Sequence, residues 1–149
     1  MKKYSVILWD LDGTLWDLHG NTQIALKQLF EKYKSTNFKS CTWENFTSNY
    51  EIFNERVWAL YREGKIAKEE LRTKRFSDLF DSISANYTPE FVSQFADEFL
   101  FICPRLSAML PGAIDVLQAA QNDYINVMVT NGFIEVQGIK MESANIRSF

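Results

Sequence analysis

Asp10 and Asp12 flank Leu11 and are followed directly by Gly13. Residues two apart in an extended segment project to the same side, and glycine lets the chain turn sharply behind them, so the two carboxylates converge. Converging carboxylates suit either a hard cation or a division of labour between a nucleophile and a proton donor. Taken alone, Asp-x-Asp-Gly also fits a plain turn or a calcium loop. A second polar turn, Thr130-Asn131-Gly132, offers a hydroxyl and backbone N–H groups. His19 is the single histidine, which argues against His-ligated metals and against Ser-His or Cys-His nucleophiles. Cys41 and Cys103 fit neither a zinc pattern nor a disulfide framework and are expected to be reduced thiols. Hydrolytic chemistry on this chain must therefore rest on carboxylates.

Both polar turns end apolar runs that read as buried strands, Tyr4 to Trp9 before Asp10 and Ile125 to Val129 before Thr130. Everything between reads as helical. Ile24, Leu29, Phe30 and Tyr33 mark one helix. Trp43, Phe46, Tyr50, Phe53, Val57 and Leu60 recur at three- and four-residue spacing behind a Thr42 cap, with Gly64 near the end. Leu71, Phe76, Leu79 and Phe80 mark a third helix. Thr88-Pro89-Glu90 combines a hydroxyl cap, a first-turn proline and an early acid, and Phe91, Phe95 and Phe99 then share a face. Pro111-Gly112 opens another helix that leads into the second strand, and Ile134 to Ala144 reads as a last one. The order gives a split α/β core, residues 1–17 and 106–149, with a helical cap inserted over residues 18–105. Ligands of open parallel sheets bind beyond the carboxyl ends of the strands, where both polar turns fall.

Composition limits the partners. The net charge is −3 with no basic block, which leaves no electrostatic footprint for nucleic acid and no polybasic membrane anchor. Met1, Lys2 and Lys3 look like the start of an export signal, but Asp10 interrupts the apolar run behind them, so a cytoplasmic protein is expected. Aromatic residues make up 15% of the chain, more than a soluble surface can display, and most are expected in the core.

Residues 6 to 17, Val-Ile-Leu-Trp-Asp-Leu-Asp-Gly-Thr-Leu-Trp-Asp, resemble the first motif of the haloacid dehalogenase-like (HAD) hydrolases, and Val127 to Gly132 resembles the second. The resemblance implies a Rossmann-like α/β core and a Mg²⁺-dependent phosphomonoesterase. Asp10 would be the nucleophile that forms an aspartyl-phosphate, and Asp12 the acid that protonates the leaving alkoxide and then activates water. Mg²⁺ would sit between the Asp10 carboxylate and the Asp12 backbone carbonyl, and Thr130 and Asn131 would hold phosphoryl oxygens. Thr14 would brace the loop. By the same resemblance, an acid at position 12 points to a phosphomonoesterase or phosphomutase and away from haloacid dehalogenases, phosphonatases and P-type ATPases, although a carboxylate there also suits a purely structural hydrogen bond. The stretch from Asn54 to Gly64, with Glu69 to Arg72 and Arg75-Phe76, resembles the cap of pyrimidine 5′-nucleotidase-like members. Nucleoside monophosphates or other small phosphorylated metabolites are the implied substrates. Trp58 or Tyr61 would stack on a base and Arg75 would contact sugar or phosphate; the competing expectation puts both rings in the cap's own core and Arg75 in a surface ion pair.

The resemblance stops short at the C-terminal side. The family continues with a lysine-bearing strand and a later acidic turn, and neither fits between Phe133 and Phe149. Lys140, Glu135 and Glu142 lie in one helical stretch, and a solvated helix face is the expectation for Lys140. The core sheet is expected to shrink to two strands with exposed edges. The alternative to an active enzyme is thus a truncated, weak or inactive fragment serving at most as a binding module.

Overall fold

The computed structural model describes residues 4–149, so the reading of Met1, Lys2 and Lys3 lies outside the described residues. By its internal contacts the chain forms two compact units. One comprises the described residues up to Ile24 together with Phe101–Phe149, and the other Ala25–Leu100. No helix among the described residues is long and apolar enough to cross a membrane.

The first unit is built on a two-stranded parallel sheet. Strand β1 (Val6–Asp10) pairs with β2 (Ile125–Val129) in a register that sets Val6 beside Ile125, Leu8 beside Val127 and Asp10 beside Val129. Register decides the position of the chemistry: the two apolar runs end level, so the turns after Asp10 and Val129 emerge side by side. The strands are not buried on both faces as their apolar runs suggest. Val6, Leu8, Ile125, Val127 and Val129 share one face and are exposed, Leu8 by 67% and Val129 by 52%. Ile7, Trp9, Asn126 and Met128 on the other face are half-buried. A parallel sheet normally carries a layer on each face, and the described residues of this unit supply enough apolar cover for only one.

Beyond β1 the chain folds tightly. Gly13 adopts φ +79°, a left-handed conformation that glycine takes without steric cost, and Leu15 and Trp16 donate back to the Leu11 carbonyl. Trp16 is fully buried, and its indole donates to the Leu106 carbonyl. Asn21, also fully buried, brackets Ala108 by donating to its carbonyl and accepting from its N–H. These bonds fix the start of α1 (Leu18–Tyr33) to the segment that leads into α5 (Ala113–Ala120) and β2. Asp17 caps α1 by accepting from the Gly20 N–H. After β2 comes α6 (Ile134–Ser143), which packs on the 3-10 turn Cys103–Arg105.

The second unit is helical. It contains the remainder of α1, α2 (Trp43–Arg62), α3 (Lys68–Ser82) and α4 (Pro89–Ile102) as far as Leu100. The helix starts are those the sequence signals: Thr42 Oγ1 accepts from the Asn45 N–H at 3.2 Å, and Thr88 Oγ1 from the Phe91 N–H at 3.3 Å. At the other end of α2, Gly64 at φ +70° lets the Lys65 N–H return to the Leu60 carbonyl. The core is aromatic. Phe38, Phe46, Phe76, Phe80 and Phe95 are buried and meet one another edge-on or tilted at centroid separations of 5.0 to 6.4 Å. This is where the high aromatic content goes.

Candidate active site

Asp10 ends β1, exposed, and its carboxylate accepts from Thr14 Oγ1 at 2.8 Å. Thr14 thus orients the first carboxylate itself, in addition to closing the turn. An open depression of about 240 Å³ lies at the strand ends, lined by Leu8, Trp9, Asp10, Val129, Thr130 and Asn131. The sequence-predicted nucleophile and both predicted phosphate-holding residues therefore share one hollow.

Asp12 is turned differently. It stands outside β1, where a lone bridge to Trp16 takes over the backbone, and its carboxylate faces α6. Lys140 Nζ donates to Asp12 Oδ1 at 2.6 Å, and Gln137 Nε2 donates to Asp12 Oδ2 at 2.8 Å. The Lys140 side chain is only 8% exposed and its ammonium lies 4.5 Å from the Trp16 ring centre. The expected solvated lysine is therefore wrong. Lys140 turns inward because a partly buried carboxylate, with 23% of its side chain exposed, waits at the end of its reach, and pairing it offsets the cost of taking either charge out of water.

Gln137 was not foreseen. Its Nε2 also donates to Thr130 Oγ1 at 2.5 Å, and Thr130 Oγ1 accepts a second bond from the Gly132 N–H at 3.1 Å. Gln137 and Lys140 stand three apart on a helix and so share a face. That spacing, opposite two carboxylates in need of a cation, was the signal available in the sequence.

The residues proposed to read the substrate lie in the helical unit. Trp58 and Tyr61 are half-buried neighbours on α2, with ring centres 5.9 Å apart and planes nearly perpendicular. Arg75 is buried on α3. Its guanidinium lies over the rings of Phe76 and Phe99, its Nη1 donates to Asn54 Oδ1 at 3.2 Å, and its Nε has no partner among the described residues. It forms no ion pair among the described residues and is buried, contrary to the expectation of a surface ion pair. It lies on the same stripe as Leu71 and Leu79, four residues away on either side, which explains its burial.

The donors near the strand ends are oxygens, a set that suits a hard cation such as Mg²⁺ better than zinc. No group of three or more His, Cys, Asp or Glu among the described residues is arranged to hold a metal. Asp10 offers a carboxylate and Asp12 a backbone carbonyl, oxygen donors of the kind Mg²⁺ takes, whereas the Asp12 carboxylate is engaged by α6.

The sequence profile of the haloacid dehalogenase-like hydrolases matches residues 4–148. Among curated proteins the chain is 26% identical over 149 residues to the HAD-hydrolase YfnB of Bacillus subtilis, and 26% over 147 to the pyrimidine 5′-nucleotidase YjjG of Escherichia coli. These alignments cover 100% and 99% of this chain and 60% of either relative. It is 29% identical over 135 residues to the pyrimidine 5′-nucleotidase PynA of Streptococcus pneumoniae, covering 90% of this chain and 54% of that protein. The chain thus spans about 60% of the length of the first relatives it matches. Among solved structures, that of the Bacillus subtilis YfnB bound to magnesium superposes with a TM-score of 0.83 at 23% identity, over 98% of this chain and 62% of that one. L-2-haloacid dehalogenase from Xanthobacter autotrophicus superposes with a TM-score of 0.66 at 17% identity, over 98% and 54%.

Proposed function

This chain belongs to the haloacid dehalogenase-like hydrolase family, and from that membership and the arrangement at the strand ends we propose that it is built for phosphomonoester hydrolysis through an aspartyl-phosphate. The observation that carries the reading is the placing of Asp10, Thr130 and Asn131 around one open hollow at the ends of paired parallel strands. An Asp10 oxygen attacks phosphorus, the bond from phosphorus to the ester oxygen breaks, and Asp12, an anion while Lys140 and Gln137 hold it, serves as the acid only once protonated, giving that proton to the departing alkoxide. Water then attacks the same phosphorus, yields a proton to Asp12 and frees Asp10, releasing inorganic phosphate. Thr130 and the Asn131 N–H hold the phosphoryl oxygens throughout. The Asp10 carboxylate and the Asp12 backbone carbonyl would hold Mg²⁺, which would supply charge neutralisation between carboxylate and phosphate. The helical unit is assigned the role of cap. Nucleoside monophosphates are the substrate class, a reading supported by the two pyrimidine 5′-nucleotidases among the relatives.

A second reading, a weak or inactive fragment with at most a binding role, is favoured by one observation: the Asp12 carboxylate has each oxygen engaged by α6. Transition-state stabilisation would be short by roughly 3–4 kcal/mol if one preorganised group is lacking. One experiment separates the readings. Phosphate release from pyrimidine nucleoside monophosphates and from an aryl phosphate is measured with Mg²⁺, with excess chelator, and for Asp10→Asn, with folding checked by circular dichroism. The enzyme reading expects turnover that chelator and Asp10→Asn each abolish. Undiminished hydrolysis by the folded Asp10→Asn protein would refute the nucleophile, and a folded wild-type chain without turnover would favour the fragment.

A further inference from the structure

The bonds around Gln137 determine which way a hydroxyl points. A threonine hydroxyl has one proton to donate and two lone pairs to accept with. Both lone pairs of Thr130 are taken, one by the Gly132 N–H at 3.1 Å and one by Gln137 Nε2 at 2.5 Å. Its O–H is thereby left with only a donor's role, the one that a phosphoryl oxygen requires. The amide of Gln137 is itself fixed, because its other N–H is spent on the Asp12 carboxylate, and turning the amide over would set Oε1 against that anion. The arrangement has a visible cost, for Gln137 is buried and its Oε1 has no partner among the described residues. A buried acceptor left unpaired is unfavourable, so the two bonds made by Nε2 outweigh it. Lys140 completes the set by holding the second oxygen of Asp12.

We propose that Gln137 is a positioning residue that locks Thr130 as a hydrogen-bond donor toward a phosphoryl group, with its own amide oriented by Asp12. The proposal rests on the reading that Thr130 holds phosphate. It requires no contact between Gln137 and the ligand, so Gln137 acts only through Thr130. A merely structural glutamine would alter binding whether or not the Thr130 hydroxyl is present.

The test is a double-mutant cycle on the whole chain with inorganic phosphate as the probe, its affinity read by calorimetry in Mg²⁺ buffer. Gln137→Met keeps the length of the side chain and removes its donors; Thr130→Val keeps the shape and removes the hydroxyl. Each single change is expected to weaken phosphate binding by about 5- to 10-fold, the worth of roughly one hydrogen bond. Because the two residues act as one unit, the double variant should bind no more weakly than Thr130→Val alone. An equal loss from Gln137→Met in the presence and absence of the hydroxyl would overturn the proposal, and so would no loss at all. If the wild-type chain binds no phosphate, the phosphate reading fails, and the coupling is then decided by nuclear magnetic resonance. Asp12→Asn must shift the side-chain amide signals of Gln137 and the backbone amide of Gly132, and signals left in place would refute the chain of bonds.

Discussion

Lys140→Met replaces the buried ammonium with an apolar end while keeping most of the stem. A hydrogen bond to a charged group is worth about 1.5–3 kcal/mol, and breaking a fully buried pair costs about 3–5. Asp12 is 23% exposed, so water can replace part of what it loses, and the lower range applies. Loss of the ammonium over Trp16 adds about 0.5 kcal/mol. The expected total is about 2–3 kcal/mol. With an unfolding entropy of about 2.1 cal/mol/K per residue over 149 residues, this lowers Tm by roughly 6–10 °C. The assay is urea and thermal unfolding followed by both tryptophan fluorescence and circular dichroism, whose transitions must coincide for the free energies to be used. Asp12→Asn is measured alongside, with the double variant. Each single change leaves the partner buried and uncompensated, so the double variant should lose about 1–2 kcal/mol less than the sum of the two. Additivity within about 0.5 kcal/mol would refute the pair, as would a Lys140→Met protein as stable as the wild type.

Two further outcomes are expected. Phe76 is fully buried among Tyr50, Phe80, Phe95 and Phe99, so Phe76→Ala should destabilise the helical unit by about 3–5 kcal/mol; a melting temperature within a few degrees of wild type would mean that the aromatic core is not packed as described. The Tyr87 hydroxyl donates to Asp81 Oδ1 at 2.5 Å, and this bond, with some burial and the nearby charge of Asp81, pushes its pKa up to about 12 from 10.0. The neutral phenol is the favoured form, so its contribution is complete below pH 10.0 and fades as pH rises toward about 12. Burial also pushes the Tyr33 phenol up, so ultraviolet phenolate absorbance should show late-titrating tyrosine of which the Tyr87 part is lost in Tyr87→Phe; a variant titrating like wild type would refute the assignment. The stability at stake is under about 1 kcal/mol, because the pair is screened by solvent.

Much of the fold was legible from the residues because local rules act over short distances. Apolar runs closed by polar turns placed Asp10 and Thr130 at strand ends, and the caps at Thr42 and Thr88 started helices where hydroxyls precede apolar periodicity. The family pattern lies in two short segments and needs no tertiary information. Three things were decided only in three dimensions. An apolar strand carries no mark of whether both its faces are covered, so the exposure of Leu8 and Val129 could not be read from their types. Asp10 and Asp12 share a period-two pattern only while the chain stays extended, and β1 ends between them, so Asp10 lines the hollow while the Asp12 carboxylate takes its partners from α6. Lys140 and Gln137 follow from the same cause: a charged or amide side chain on a helix points to water by default, and only the arrival of a carboxylate from more than a hundred residues away makes burial the lower free energy.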